Sequence, residues 1–548
     1  MILSDWKINT GDKLKIVIPA AGIGSRMLPY TKYRSKAMLR VGDKAAISYI
    51  LDLYKSHEFV ILLGHCGDQI KEYCKAAHPE LIKHKSIKFI EVDDYKSDSA
   101  STLYSLSKAQ EFLQEPFIIH CCDTILLSDD FLDGDFLEYD DCILISNSTR
   151  RLYTKVTQRD SEVATFLYDE YDKGCTSSFD NFDYMGVCKI SEYRQFWKLT
   201  NVLLTNPDNN LSDVDVLSKM HVHLYVDYIH KDDWIDIGNI DEYESYNSSN
   251  LNSKNVLYKE SEDIFIVNNN VIKFSINADD TKNKIQRAQT TPLQLHTPIL
   301  NYTGKYIFSY KFVDGQTLSK TLYNDSFKIG NFLDWYRDRF YINSNLDSRF
   351  NDTCYQFYID KTFDRLRKID FLDINEDVTI NGVHVPKITS QLETLTRFSF
   401  LYNGIKSHFH GDLVLDNIID VGNNDYVLID WRSSFQGDIE FGDYYYDIAK
   451  LGHSLIMNHD MLCNKYFSYT ELGDEYIVDY TITNHMKDSL NSFYTWCVDN
   501  KLSVSKIKLL MGLIWINMSP LHGPDIGKFL YRYGCYHIQN LMWEIRHK

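Results

Sequence analysis

The chain has 548 residues, 44% apolar and 24% charged, with a formal net charge of −18. That length exceeds one ordinary hydrophobic core and predicts two or more domains. The composition is that of a globular protein, and the negative balance argues against nucleic acid or an anionic membrane as the main partner. No run of about 18 apolar residues predicts a membrane span. The first residues lack the basic-then-apolar form of a signal peptide, so a cytoplasmic location is expected. The eleven cysteines are scattered without a Cys-x-x-Cys pair, which predicts neither a zinc site nor a disulfide framework.

Leu14–Pro19 reads as a short buried strand running into Ala20, Ala21, Gly22, Ile23, Gly24, Ser25 and Arg26. Small residues and two glycines let a backbone pass close to a ligand. Successive N–H groups in such a loop make an anion site, and Arg26 adds a bidentate phosphate donor. Lys36 follows Pro29 and Thr31. Val60–His65 and Ile87–Val92 predict further strands. Phe117–Asp123 and Trp234–Asn239 predict strands that each end in a carboxylate, at Asp123 and Asp236. The strand–helix alternation predicts a doubly wound α/β sheet, whose ligands sit at the carboxyl ends of the strands. Each piece alone also suits a plain strand end or a tight turn.

Gly22-x-Gly24-x-Arg26-x-x-Pro29-x-Thr31 followed by Lys36 resembles the signature of nucleotidyltransferases that activate sugar 1-phosphates or phosphocholine. The resemblance implies that Ala20 to Ser25 wrap the NTP phosphates. It implies that Arg26 and Lys36 stabilise the reacting α-phosphorus and the leaving pyrophosphate, and that Asp123 and Asp236 hold Mg²⁺. Two departures stand: Arg34-Ser35-Lys36 replaces the usual Pro-Lys, and Cys122-Asp123 replaces the usual Gly-Asp. Tyr184–Val187 resembles the strand-borne glycine near the acceptor, which makes Gly186 a candidate. Ser97–Leu106 is closer to phosphocholine-type than to sugar-type members. It nominates Ser99 and Tyr104 for the acceptor and CTP as nucleotide. A helix N-cap by Ser99 or Ser101 is the plainer alternative.

Residues 1–247 are expected to form this domain. The polar, turn-rich 248–255 reads as a linker. Ile264–Val267 and Val271–Phe274 predict a hairpin around three asparagines. Tyr306–Leu318 predicts a strand and the start of a helical region, and the chain from about 326 onward reads as mainly helical and aromatic. Tyr444, Tyr445, Tyr446, Trp431 and Trp515 suit either a cation cage or ordinary core.

His410-Gly411-Asp412-Leu413-Val414-Leu415-Asp416-Asn417 is followed by an apolar run ending at Ile429-Asp430, then by Gly442-Asp443 and Tyr446-Asp447-Ile448-Ala449. Phosphoryl transfer requires an aligned hydroxyl, an orienting carboxylate and Mg²⁺ on the phosphates, and hard cations choose oxygen ligands such as these. The set resembles the aminoglycoside phosphotransferase and choline kinase group, which implies an α+β protein-kinase-like fold. On that resemblance Asp412 is the catalytic base, Asn417 and Asp430 are Mg²⁺ ligands, and Asp447 is structural. Lys273 would meet the ATP phosphates, and Lys311 and Val313 the adenine. A partner glutamate for Lys273 is missing from Lys282–Ala288. The expected lobes are 256–313 and 314–548.

The combined expectation is a bifunctional enzyme using Mg²⁺, ATP and a second NTP, with CTP favoured. One half phosphorylates a small alcohol, choline- or ethanolamine-like on the Ser97–Leu106 pattern. The other joins the product to a nucleotide for surface glycan or lipid decoration. The alternatives are a sugar kinase with a sugar-1-phosphate nucleotidyltransferase, or a working nucleotidyltransferase carrying a non-catalytic kinase-like binding module.

Overall fold

Apolar side chains in the first strand, Lys15–Ala20, alternate between two cores. Ile16 and Ile18 pack with Ile50, Leu51 and Tyr73 on one side, while Val17 packs with Leu62, Leu103 and Ile119 on the other. Burying each such side chain contributes about 1.5–3 kcal/mol, and a strand covered on both faces belongs inside a parallel sheet. The strand pairs in parallel with Glu58–Leu63 and Phe117–His120, and Glu58–Leu63 pairs in parallel with Ile87–Glu91. Asn181–Ile190 runs antiparallel to Phe117–His120 and extends the sheet to nine described strands. The expected doubly wound α/β arrangement is therefore present, with an antiparallel extension that the sequence pattern did not indicate.

This computed structural model describes residues 13–97, 100–133, 136, 139–147, 154–159, 162–167, 181–206, 211–221, 226–250, 261–342 and 348–547. Its contacts divide the chain into two units. One comprises residues to Ala278 together with Asn301–Ser309, and the other comprises Asp279–Leu300 together with Tyr310 onward. This division differs from the expected break at 248–255. The helix Ile240–Asn250 runs through the first three residues of the expected linker, and 251–255 lie outside the described residues.

The hairpin Glu262–Val267 and Asn270–Ser275 is counted with the first unit, although the sequence reading placed it with the kinase-like half. The physical reason is burial. Phe265, Val267, Ile272 and Phe274 join the same apolar cluster as Ile16, Tyr73 and Ala77. Phe265 sits edge-on to Tyr73 with ring centroids 5.0 Å apart. On the helix Gly67–Ala77, the Glu72 carboxylate accepts backbone hydrogen bonds from Lys305 (2.8 Å), Tyr306 (2.8 Å) and Ile307 (3.1 Å). Gly304 is needed beside it, since a Cβ there would lie 2.6 Å from Glu72 Oε2.

The second unit is mainly helical, as expected. Its helices include Lys328–Phe340, Tyr444–Ile456, Asn484–Asp499, Val504–Met518 and Pro524–His547. Asp443 caps Tyr444–Ile456 and also accepts from Ile405 N (2.9 Å), Tyr358 Oη (2.6 Å) and Lys506 Nζ (3.3 Å). The antiparallel hairpin Ile418–Gly422 with Asp425–Leu428 follows the loop His410–Asn417 and precedes Asp430. A further antiparallel pair, Phe467–Leu472 with Glu475–Tyr480, falls in a region read as helical. Tyr444, Tyr445, Tyr446, Trp431 and Trp515 are all buried. Tyr444, Tyr445, Trp431 and Trp515 are core residues, whereas Tyr446 also borders a cavity. No helix of the described residues is long and apolar enough to cross a membrane.

Candidate active sites

In the first unit the glycine loop is closed by its own threonine. Thr31 Oγ1 donates to the Gly24 carbonyl at 2.7 Å, and Met27 N donates to the same oxygen at 2.9 Å. Gly24 sits at φ 69°, a conformation that favours glycine. A Cβ on Gly22 would meet nothing within 4 Å, so its backbone borders open space. Ala20 and Ala21 are buried, whereas Ser25 and Arg26 are exposed. A second loop braces the first: His65 N donates to the Ala21 carbonyl (2.9 Å) and the His65 ring bonds the Thr31 carbonyl (3.0 Å). His65 thus has a bracing part that its place at a strand end only hinted at.

Asp123 and Asp236 are brought together by a short ribbon. Thr124–Leu126 pairs antiparallel with Trp234–Asp236, and Ile237 N donates to the Asp123 carbonyl at 3.0 Å. Lys36 Nζ bonds Asp123 Oδ2 at 2.8 Å. A Cβ on Gly238 would lie 2.8 Å from Asp236 Oδ1, 2.9 Å from Asp123 Oδ2 and 3.3 Å from Lys36 Nζ, so the three side chains converge over that glycine. Burial pulls the Lys36 pKa down, but the charge and hydrogen bond of Asp123, together with Cys122, outweigh it and the net shift is upward. Burial pushes Asp123 up, and the Lys36 and Arg26 charges hold it below its ordinary value. Asp236 is pushed up to about 6, first by burial and then by the Asp123 charge, while Gly238 N, donating at 2.6 Å, works against the rise.

Two half-buried carboxylates, one of them bonded to Lys36, form a donor set that suits Mg²⁺. That ion commonly takes one or two carboxylates and completes its shell with phosphate oxygens and water. The depressed Asp123 and elevated Asp236 describe a pair that a second cation would relieve.

The acceptor candidates fare differently. Gly186, at φ 77°, lies against Cys121, and a Cβ there would come within 3.0 Å of the Cys121 sulfur. Cys121 precedes Asp123 by two residues, and the same Cβ would lie 3.4 Å from Thr124 Oγ1, so the residues on both sides of Asp123 border this glycine. The Tyr104 hydroxyl donates to Asp93 at 3.3 Å, and its ring lies 4.5 Å from Lys108 Nζ. Ser101 caps the following helix by accepting from Tyr104 N. Ser99 lies outside the described residues.

In the second unit the loop His410–Asn417 is held from beneath. Asp447 accepts from His410 N (2.7 Å), Gly411 N (2.7 Å) and Tyr336 Oη (2.6 Å). Burial pushes its pKa up to about 6 against those three donors. Arg287, fully buried at the end of the helix Ala278–Arg287, donates to the Ile439 carbonyl at 2.9 Å and the His410 carbonyl at 3.3 Å. It also donates to the carbonyls of Phe409 and Arg432. The stretch Lys282–Ala288, which lacks a glutamate, supplies this arginine instead.

Asp412 Oδ1 meets Lys450 Nζ at 2.7 Å. Burial would raise the Asp412 pKa, but Lys450, His410 and Arg432 hold it far below the carboxylate range. Asp412 is thus an ionised hydrogen-bond acceptor at any working pH. Asn417 Nδ2 donates to the Asp412 carbonyl at 2.9 Å, which turns its amide oxygen away. Ile429 N donates to the Asn417 carbonyl at 2.9 Å and ties the two loops together. Asp430 adopts φ 59°, an uncommon conformation for an aspartate that often marks a side chain held for function. A free amide oxygen and a carboxylate on linked loops are hard-cation donors. Lys311 ends the strand Ile307–Lys311 and is exposed, Val313 is half-buried, and Lys273 lies opposite Ile264 on the hairpin of the first unit.

No family model matches the chain. The UTP–glucose-1-phosphate uridylyltransferase of Staphylococcus epidermidis is 30% identical over 133 residues, which is 22% of this chain and 46% of that protein. The uridylyltransferase of Staphylococcus haemolyticus is 29% identical over 139 residues, with the same shares covered. The chain thus spans about half the length of the curated relatives it matches, and the match lies in its N-terminal part. Among solved structures, a UDP-glucose pyrophosphorylase complexed with UDP-glucose aligns with 43% of this chain and 98% of its own, at 16% identity and a TM-score of 0.36. The CTP:phosphocholine cytidylyltransferase of Streptococcus pneumoniae aligns with 43% of this chain and 99% of its own, at 17% identity and a TM-score of 0.35. The N-terminal part of the chain is related in sequence to nucleotidyltransferases.

Proposed function

We propose that the chain carries out two consecutive reactions, phosphorylation of a small alcohol and transfer of a nucleotidyl group to the product. The observation that carries the second step is the convergence of Lys36, Asp123 and Asp236 over Gly238. An oxygen of the phosphorylated acceptor attacks the α-phosphorus of the NTP, the bond to the β-phosphate breaks, and pyrophosphate leaves. Lys36 and Arg26 hold the negative charge that grows on the phosphates, and the N–H groups of the glycine loop orient them.

In the first step the acceptor oxygen attacks the γ-phosphorus of ATP, the bond to the β-phosphate oxygen breaks and ADP leaves. The hydroxyl proton passes by way of Asp412 to solvent. Asp412 accepts the hydrogen bond of the attacking hydroxyl and aims it, since positioning carries most of such a reaction. Asp447 and Arg287 keep the Asp412 loop in place. Mg²⁺, held by Asp123 and Asp236 in one site and by Asn417 and Asp430 in the other, would neutralise phosphate charge when bound.

CTP is the nucleotide that the Ser97–Leu106 pattern favours. A second reading, UTP with a sugar 1-phosphate, rests on the named activity of the relatives. Incubation with Mg²⁺, ATP, each NTP and a panel of alcohols and their phosphates, read by mass spectrometry, separates them. Asp412→Ala is expected to abolish phosphorylation and leave nucleotidyl transfer from a supplied phosphate intact, and Asp236→Asn to do the reverse. Unchanged phosphorylation in Asp412→Ala would reduce the second unit to a binding module.

A further inference from the structure

We propose that the alcohol phosphorylated at Asp412 is itself an anion, carrying a carboxylate or phosphate group that docks on Lys361, Arg365 and Lys450. The proposal rests on the reading of Asp412 as the residue that faces the acceptor hydroxyl. A cavity of about 80 Å³ opens in the second unit between Phe357, Tyr446, Lys361, Arg365 and Lys450, over an apolar floor that includes Leu513 and Ile514. Lys450 is common to the cavity wall and to the ion pair with Asp412, so the cavity adjoins the proposed reacting position.

Charge decides the ligand class. Lys361 feels the positive charges of Arg432, Arg365 and Lys450, and the carboxylate in their midst is Asp412. Asp412 is already paired with Lys450. Lys361 Nζ lies 4.0 Å from the centre of the Phe357 ring, and the Arg432 guanidinium lies 5.0 Å from the same ring. Arg432 also donates to the Ser434 carbonyl at 3.1 Å. Neither contact neutralises a cation. Burial, followed by the repulsion of its neighbours, pushes the Lys361 pKa well down, and Arg365 is pushed down by burial and Arg432. Like charges gathered in a half-buried cleft are unfavourable alone and become favourable when an anion enters.

The same field disfavours a quaternary ammonium or a protonated amine. Tyr446 lines the cavity on the same wall as Lys361, Arg365 and Lys450, whose positive charge disfavours a cationic ligand at the ring. The aminoalcohol acceptor suggested by Ser97–Leu106 is therefore replaced by a hydroxy acid or a phosphorylated alcohol. Its anionic group would lie in the cavity while its hydroxyl reaches Asp412.

The test uses the full chain with Mg²⁺ and a saturating non-hydrolysable ATP analogue, so that nucleotide phosphates are already placed. Inorganic phosphate, D-glycerate, glycerol and choline are titrated by calorimetry into wild type and a Lys361→Gln/Arg365→Gln variant. Phosphate and glycerate are expected to bind wild type, and the variant to bind them about tenfold or more weakly, the loss of charge-assisted hydrogen bonds. Choline is expected not to bind. Binding of choline, or anion binding that the variant leaves unchanged, would overturn the proposal while the kinase reading stands. If the two substitutions weaken the ATP analogue and leave phosphate and glycerate untouched, the cations serve the nucleotide and the proposal fails. If the ATP analogue does not bind and phosphate binding is still lost in the variant, the kinase reading falls and the anion pocket remains. Matching thermal melts of variant and wild type exclude misfolding as the cause.

Discussion

At the scale of single residues, the two sites rely on cations placed against carboxylates. Lys36 neutralises Asp123 beside an Asp236 that burial already holds up. Lys36→Met is expected to lower the kcat of nucleotidyl transfer by about 10²–10³-fold, the usual worth of one charge-stabilising donor. A thermal melt of the variant separates this loss of rate from a loss of stability, since Lys36 is largely buried and paired with Asp123. A full rate in Lys36→Met would remove the residue from the chemistry. Arg287 plays the opposite part, a buried guanidinium spent on backbone carbonyls. Lysine has the charge without the planar fork of donors, so Arg287→Lys strands several carbonyls at about 1–3 kcal/mol each. The expected result is a lowered melt of the second unit and slower phosphorylation, with nucleotidyl transfer unchanged.

At the scale of elements, the hairpin Glu262–Val267/Asn270–Ser275 supports the signature loop of the first unit. The guanidinium of Arg34, two residues before Lys36, is buried in an ion pair with Asp263 on that hairpin. Removing one partner of a buried pair leaves an uncompensated charge and costs about 3–5 kcal/mol, whereas replacing both by apolar residues is often neutral. Asp263→Ala should therefore lower stability in urea and depress nucleotidyl transfer, and Arg34→Met/Asp263→Leu should recover most of the stability. Equal losses in the single and double variants would show that the pair contributes nothing of its own. The hairpin itself was legible from its asparagine turn and apolar runs, but its allegiance was not. Phe265 and Tyr73 meet across nearly 200 positions of sequence, and no local pattern encodes that packing. The same contrast holds for the sites. Gly24, Thr31 and Lys36 stand close together in sequence, and the resemblance of that spacing to a nucleotidyltransferase signature nominates them with Asp123 and Asp236. Asp123 lies in the turn after the strand Phe117–His120, and Asp236 ends the strand Trp234–Asp236. Lys450, Lys361 and Arg287 act from three separate helices, and only the folded second unit shows what they face.

At the scale of the whole molecule, acid sensitivity follows from the buried histidines and carboxylates. His120 bonds Tyr54 Oη (3.1 Å) and the Thr124 carbonyl (2.9 Å), and His537 bonds the Lys508 carbonyl (3.1 Å). Burial lowers both to about 4. A depressed histidine contributes stability that is fully present above its unfolded value near 6.5 and is lost as pH falls toward 4, at about 3 kcal/mol each over that window. Asp141 opposes them. It accepts from Ser191 N (2.7 Å) and Glu192 N (3.1 Å), but burial dominates and pushes it up to about 6. A raised carboxylate contributes stability that is present below its unfolded value near 4 and is lost as pH rises through 6. His78 and His410 are lowered to about 4 and His453 to about 3 in the same way, while Asp236 and Asp447 are raised to about 6 like Asp141. The buried histidines outweigh the raised aspartates, so chemical denaturation midpoints should fall from pH 7 to pH 4.5. His537→Gln removes one titrating group and should flatten that fall in the second unit. Asp141→Asn removes the opposing gain and should steepen it in the first unit. Parallel pH profiles for wild type and both variants would mean that these buried groups do not govern the acid limit.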